Sequence, residues 1–109
     1  MAKTAGFWYQ RGEALDYKNT GDTMIEAGTI ITIGERIGIA GGDIAPGAVG
    51  AIHVEGVFKF AKGTDALTIG TPVTITDGTA AAAGSGSGNG YVAADAAATD
   101  STVLVKINA

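Results

Sequence analysis

The sequence contains no cysteine and one histidine, so disulfide bridges are excluded and a structural zinc site is nearly excluded. Basic residues are also scarce, because seven Lys and Arg residues face 11 Asp and Glu residues, for a net charge of −4. A general nucleic-acid binder needs clustered basic side chains to displace counterions from phosphates, so we expect no nucleic-acid partner. No run of about 18 apolar residues occurs, which predicts that no segment spans a membrane.

A secretory signal is not visible either, because the first residues, Met1-Ala2-Lys3-Thr4, lack an apolar stretch. We therefore expect the protein to be made and used inside a cell, or carried out of it within a particle. Its 109 residues fit a single domain. A chain this short buries only about 60–70% of the surface that it exposes when unfolded, so self-association would help a thin core.

Glycine is abundant and decides the fold class. The 18 glycines are spread so that, before Gly90, no gap between them exceeds eight residues. An average helix of about 11 residues would contain one, at a cost of about 1 kcal/mol relative to alanine. The β-branched residues between the glycines favour strands. The sequence therefore predicts an all-β single domain, a small β-barrel or β-sandwich-like fold with short strands and glycine-rich turns.

Alternation of apolar and polar residues predicts several strands, most clearly over 52–60 and 103–107, with shorter ones at 31–33, 37–39 and 73–76. Pro72 stands where a strand could begin. The segment 45–48, Ala-Pro-Gly-Ala, suits a type II turn, and Asp77-Gly78 suits a type I′ hairpin. Small residues dominate 79–90, so we expect a flexible loop there.

A weak internal repeat accompanies these patterns. Gly21, Gly42 and Gly63 are equally spaced along the chain. The segment 28–33 resembles the segment 70–75 in four of six positions, and the two segments are separated by twice that spacing. Two explanations are open: duplicated strand–turn units, or chance similarity between glycine-rich β sequences.

Candidate sites for chemistry are sparse. The segment 86–90, Gly-Ser-Gly-Asn-Gly, lacks the Lys-Ser/Thr and the helix of a phosphate-binding loop, so we interpret it as a linker. His53 would need a nucleophile and an orienting acid, such as Ser101 and Glu55, but its alternation with apolar residues favours a surface histidine. The aspartates next to glycines lack the spacing of a calcium loop and are interpreted as turn residues. We expect no catalytic residues, no cofactor and no metal.

Aromatic residues concentrate at the amino terminus, where four of the seven lie within the first 17 residues. Three basic and two acidic residues occur up to Lys18, whereas the rest of the chain has four basic and nine acidic residues. Because Trp, Tyr and Arg are common interface anchors, this segment suits partner binding. The alternative is that 7–9 form the first core strand, and alternating faces allow both. The predicted partner contacts are Phe7, Trp8, Tyr9, Arg11 and Tyr17.

The order of motifs resembles a known family, the small phage and prophage head proteins called DUF2190. The resemblance covers about residues 16–107. The motifs that carry it are LDYKNTGD (15–22), AGT (27–29), IGIA (37–40), DIAPG (43–47), Gly50, EGVF (55–58), GTPV (70–73) and VLVKI (103–107). The resemblance implies a compact β domain that decorates a phage capsid, as a cement or head-fibre protein, commonly as a trimer on the outer shell.

With that resemblance, the chain is expected to comprise an N-terminal segment, 1–18, which is either a capsid-binding arm or the first strand, and a β domain, 19–109. Its expected partners are the major capsid protein and further copies of itself, a trimer being favoured. It would be made in the host bacterial cytoplasm and end on the capsid surface. Two other functions remain open: a carbohydrate- or surface-binding module using Trp8, Tyr91 and the Thr-rich strands, and a hydrolase using His53.

Overall fold

The computed structural model describes residue 6 and residues 10–83 and 88–109. These residues form nine β-strands and no helix, which confirms the predicted all-β class, and so no described helix could cross a membrane. The strands are β1 (Ala14–Lys18), β2 (Ile30–Ile33), β3 (Arg36–Ala40), β4 (Val49–His53), β5 (Val57–Lys62), β6 (Pro72–Thr76), β7 (Thr79–Ala82), β8 (Gly90–Val92) and β9 (Thr102–Ile107).

The strands form one open sheet and one closed barrel. The open sheet is antiparallel, with the order β1-β4-β3-β2. The barrel has the order β5-β7-β6-β8-β9 and closes through a short parallel pairing of β7 with β5, at Ala61↔Thr79 and Lys62↔Ala80. Of the two folds that the sequence left open, a β-barrel or a β-sandwich-like fold, the second half of the chain forms the barrel, whereas the first half is an open sheet.

The two turns predicted at 45–48 and 77–78 form at the predicted positions. Asp77 and Gly78 both have positive φ, 50° and 81°, as the type I′ connection of β6 to β7 requires. The N–H of Ala48 donates to the carbonyl of Ala45 at 3.0 Å, and Gly47 between them has a φ of 78°. This geometry is that of a type II turn. Pro72 is the first residue of β6, as expected from its missing N–H.

The single strand predicted over 52–60 is wrong. β4 ends at His53 and β5 begins at Val57, with a break at Gly56, whose φ is 126°. Burial still alternates across the break, because Ile52 and Phe60 are buried while His53 lies exposed. The alternation was therefore a correct signal for two strands that meet at a bend which only glycine adopts easily.

The loop predicted at 79–90 also differs from the structure. Thr79–Ala82 form β7, which pairs with β6 and β5, and Gly90 begins β8. Residues 84–87 of the predicted loop lie outside the described residues. Ala80 is 1% exposed, so its methyl group belongs to the barrel core. Small side chains suit this strand because it fits between two others and is held by backbone hydrogen bonds.

The two halves repeat one structural unit, which supports duplication over chance similarity. We call residues 13–54 the first unit and residues 56–107 the second unit. Gly28 and Gly70 have φ of 86° and 89° and lie in turns that close with backbone hydrogen bonds of 3.1 Å. The spacing between these two glycines is therefore a structural repeat. Gly42 lies inside the first unit, so the shorter spacing of Gly21, Gly42 and Gly63 is not a structural period.

Side-chain hydrogen bonds match between the units as well. In the first unit Asp43 accepts the N–H of Ala27 at 2.9 Å, and in the second unit Asp95 accepts the N–H of Ile69 at 2.7 Å. The two acceptors are farther apart along the chain than the two donors. The second unit therefore contains additional residues between donor and acceptor, and these include β7.

The two buried polar side chains of the described residues occupy equivalent positions at the ends of β1 and β5, since Asn19 follows the last residue of β1 and Lys62 is the last residue of β5. Asn19 is 3% exposed and Lys62 is 8% exposed. The Asn19 amide donates to the carbonyls of Thr23 and Ile44 at 2.8 and 2.9 Å. The Lys62 ammonium donates to the carbonyls of Gly63 and Asp100 at 2.9 and 3.0 Å. In both units a side-chain donor therefore satisfies loop carbonyls that lie close to the core.

Each unit has its own core, and the two are joined at β3. Ile37 and Ile39 of β3 pack into the barrel cluster rather than the cluster of their own sheet. Asn108, with a φ of 57°, exchanges two hydrogen bonds with the backbone of Ile37, at 3.0 and 2.7 Å, and donates a third to the carbonyl of Val54 at 2.7 Å. The sheet and the barrel are therefore linked by apolar packing and by one side chain.

Candidate functional site

The predicted partner contacts fall in and around β1. Phe7, Trp8 and Tyr9 lie outside the described residues. The Arg11 side chain is 82% exposed, and its guanidinium lies 3.9 Å from a carboxylate oxygen of Glu13. An ion pair this exposed contributes little, so the guanidinium is available to a partner.

Tyr17 has a different environment. Its ring is half-buried against the cluster of the first unit, which contains Ile31, Ala40, Ile44 and Ile52. Part of the ring therefore stabilises the sheet, and only the remainder can contact a partner. Arg11 thus precedes β1 in the chain, and Tyr17 lies on β1.

His53 shows none of the geometry of a catalytic base within the described residues. It is exposed at the end of β4, and its ring lies 6.1 Å from the Phe58 ring, centroid to centroid. No hydrogen bond joins it to Glu55 or Ser101 in that part of the chain. The sequence interpretation of a surface histidine agrees with its exposure.

The acidic residues likewise do not converge. Within 10–83 and 88–109, no three side chains of His, Asp or Glu lie close enough to hold a metal ion. Asp43 and Asp95 bond to the backbone N–H groups of Ala27 and Ile69, which lie far along the chain. The sequence anticipated backbone bonding by Asp43 but not that its partner would lie outside its own turn.

A wide cleft of the described residues lies where the sheet meets the barrel. It is open, holds about 410 Å³, and is lined by Ile30, Thr32, Ile37, Ile75 and Asp77 with two glycines. Its lining offers one carboxylate and no convergent set of polar side chains. Such a surface suits contact with another macromolecule better than capture of a small polar ligand.

The most distinctive feature is an opening in the first unit, which the sequence did not reveal. In the second unit β7 lies between β6 and β5 and closes the barrel. In the first unit, β2 pairs only with β3, and β1 pairs only with β4, as far as the structure is described. Tyr17 of β1 and Ile31 of β2 nevertheless pack on the same cluster, so the sheet curls around it. We call the opening between β1 and β2 the seam.

Comparison with known proteins identifies the family. A family model described as phage cement protein matches residues 9–107, which is most of the chain and includes both units. The chain belongs to the phage cement protein family. No curated protein and no solved structure gives a significant match.

This match confirms the kind of family that the order of motifs indicated, a structural protein of the phage head. Cement proteins associate with the capsid, so the match also supports the virion as the location of the protein. The alternative of a carbohydrate-binding module is not favoured. Tyr91, on which that alternative relied, is half-buried in β8 and pairs with Pro72 and Lys106.

Proposed function

We propose that this cement protein binds the outer surface of a phage head as a trimer, contacts the major capsid protein and stabilises the assembled shell. The family match over residues 9–107 is the observation that carries the proposal. In this proposal the protein is made in the host cytoplasm and acts through contact area alone, with no catalytic step and no cofactor. The exposed position of His53 and the open cleft beside β2 are consistent with this.

The proposed capsid contacts are those at the amino terminus: Phe7, Trp8, Tyr9, Arg11 and Tyr17. Support comes from the exposure of the Arg11 guanidinium and of part of the Tyr17 ring. Aromatic and arginine side chains supply much of the binding energy at protein interfaces. The segment is also more basic than the acidic remainder of the chain, which favours a fixed orientation on a shell with acidic contact points.

Stabilisation of a shell does not require tight binding by each copy. A symmetric particle presents many identical sites, and a trimer engages several at once, so that the second and third contacts form at a high effective concentration. A modest contact per chain is therefore sufficient for lasting occupancy.

Binding to purified capsids that lack the protein tests this proposal. We expect the full chain to saturate the capsids and to raise the temperature at which they disassemble. A deletion of residues 1–12 leaves β1 intact and should reduce occupancy, whereas His53→Ala should bind like the unaltered protein. Occupancy measured by quantitative gel analysis of sedimented particles distinguishes the variants. Full occupancy by the deletion variant would remove the N-terminal contacts from the proposal, and absence of binding by the full chain would refute the proposal itself.

A further inference from the structure

Among the residues that the structure describes, the two units differ in strand number at the seam. The units share the order of their other strands: β1-β4-β3-β2 in the first and β5-β9-β8-β6 in the second. Within the described residues, only the second unit contains an additional strand, β7, between its two end strands. The first unit is therefore the same curled sheet without its closing strand.

Burial shows that the core under the seam is incomplete. In the second unit Phe60, Leu67 and Ile107 are 5%, 5% and 1% exposed. The equivalent residues of the first unit are Tyr17, Ile25 and Val54, and all three are only partly buried. Ile52 of the same cluster is 1% exposed, close to the 0% of its counterpart Val105. Tyr17, on a strand that borders the seam, is therefore less covered than Phe60, its counterpart on the strand beside β7.

The backbone at the seam is also ready to accept a strand. Neighbouring residues of a strand direct their N–H and C=O groups to opposite sides. The carbonyl of Thr29 accepts from Ala40 of β3, so Ile30 and Thr32 direct their backbone groups away from β3, towards the seam. Pro72, the residue equivalent to Ile30, uses its carbonyl to accept from Ala83 at 2.8 Å, in continuation of the β6–β7 pairing.

The residues before β1 that the structure describes, residue 6 and residues 10–13, are all exposed. Gly6 is exposed, and a Cβ atom added to Gly6 or Gly12 would meet nothing within 4 Å. The matched family region begins at residue 9 and contains both strands of the seam, but excludes Phe7 and Trp8. The strands that border the seam therefore lie within the region that identifies the chain as a cement protein.

We infer that the seam is a binding site for an extended segment of the shell protein, which adds as a strand between β2 and β1 and completes the first unit. This inference rests on the proposed function and adds a second capsid contact to those proposed at the amino terminus. The segment would carry apolar side chains at alternate positions, because every second side chain of an added strand points towards Tyr17 and Ile33. Main-chain hydrogen bonds to Ile30 and Thr32 would supply affinity, as in other cases of strand addition.

A proline at the seam tests the inference. Thr32→Pro removes an N–H that faces the seam and leaves the bonds between β2 and β3 in place. Thr32→Val is the matched control, because valine keeps the N–H and the strand preference. We expect the proline variant to bind capsids about tenfold more weakly, while the valine variant binds normally. Circular dichroism checks that both variants are folded.

Hydrogen exchange of the unaltered protein gives a second measurement that does not depend on any variant. On capsids, the amides of Ile30 and Thr32 should exchange more slowly than in the free protein. The amide of Thr74, already paired within β6 and β7, should not change and serves as the internal control.

The outcomes separate the inference from the proposed function. Binding by the unaltered protein with unchanged exchange at Ile30 and Thr32, or with normal occupancy by the folded proline variant, would overturn the inference alone. Slow exchange at the seam without capsids, rising with protein concentration together with the molar mass from light scattering, would assign the seam to a second copy and overturn it too. If the unaltered protein does not bind capsids, the proposed function fails and the inference fails with it.

Discussion

Gly50 and Ile44 provide a direct test of how the two units fill the same space. Gly50 of β4 is equivalent to Val103 of β9, because each lies opposite the equivalent aromatic residue, Tyr17 or Phe60. Ile44 is equivalent to Ala96, since each forms the isolated bridge of its unit. The first unit therefore combines glycine with isoleucine, and the second combines valine with alanine. The two pairs contain the same number of side-chain carbon atoms.

The size of the effect follows from the contact between these residues. A Cβ atom on Gly50 would lie 2.5 Å from Cγ1 and 2.8 Å from Cδ1 of Ile44, where carbon atoms pack at about 3.5–4.0 Å. Ile44 is 2% exposed, so a displaced Ile44 side chain would have to move against other buried atoms. We therefore expect Gly50→Val to lower the free energy of unfolding by about 1–3 kcal/mol. Ile44→Ala alone leaves a cavity and should cost about 2–5 kcal/mol.

The double variant decides the question. With Ile44→Ala in place, the valine at position 50 has room, so the double variant should be more stable than the sum of the single effects by about 1–2 kcal/mol. Urea unfolding followed by circular dichroism gives the free energies, with equal m-values as the check that the native state is unchanged. Strictly additive effects would show that the side chains at positions 44 and 50 do not compete for the same space, and would refute the equivalence of the Gly50–Ile44 and Val103–Ala96 pairs.

Three further predictions concern the fold. Thr74→Pro should lower the free energy of unfolding by about 3 kcal/mol because it removes a backbone hydrogen bond between β6 and β7, whereas Thr32→Pro at the seam should lower it by less. Equal losses of free energy in urea unfolding would argue against an open edge at β2. Asn108→Ala should lower the free energy of unfolding by about 2–4 kcal/mol, because the side-chain hydrogen bonds are lost and alanine is strained at a positive φ. Asn108→Gly loses the same hydrogen bonds without the strain and should cost less. Equal melting temperatures for the two variants would contradict a role for φ. Lys62→Met should lower the free energy of unfolding by about 1–3 kcal/mol because two carbonyls lose their hydrogen-bond donor. The control Lys59→Met, at an exposed position, should change it by no more than about 0.5 kcal/mol. Similar shifts in melting temperature for both variants would show that burial of the Lys62 ammonium is unimportant.

The sequence predicted the features that depend on local geometry. Asp77-Gly78 predicted its hairpin because few residues adopt positive φ twice in succession, and the alternation of Val103, Val105 and Ile107 predicted a strand with one buried face. The segment 52–60 was misassigned because alternation reports burial and not pairing. It continued unbroken across Gly56, where the chain changes sheets.

Features that depend on distant partners were not visible. β7 consists of a threonine and three alanines, and alanine has little intrinsic strand preference, so this strand exists because β6 and β5 hold it from both sides. The seam is defined by the absence of such a strand from the first unit. It could be recognised only by matching the equivalent hydrogen bonds of the two units, since the additional residues of the second unit change the spacing between equivalent positions part-way along the chain.

The similarity of β2 and β6 has a consequence for how the chain reaches its native state. Two strands with almost the same turn and the same polarity pattern compete for the same partners while the chain is still collapsing, which is a known route to misfolding between repeated units. A second kind of exchange, in which the segment containing Ile44 packs against β9 and the segment containing Ala96 packs against β4, is disfavoured by side-chain size, because it would set isoleucine against Val103 in one core and alanine against Gly50 in the other. Substitutions that made the two units identical at these positions would therefore remove the difference in packing between the native and the exchanged arrangement.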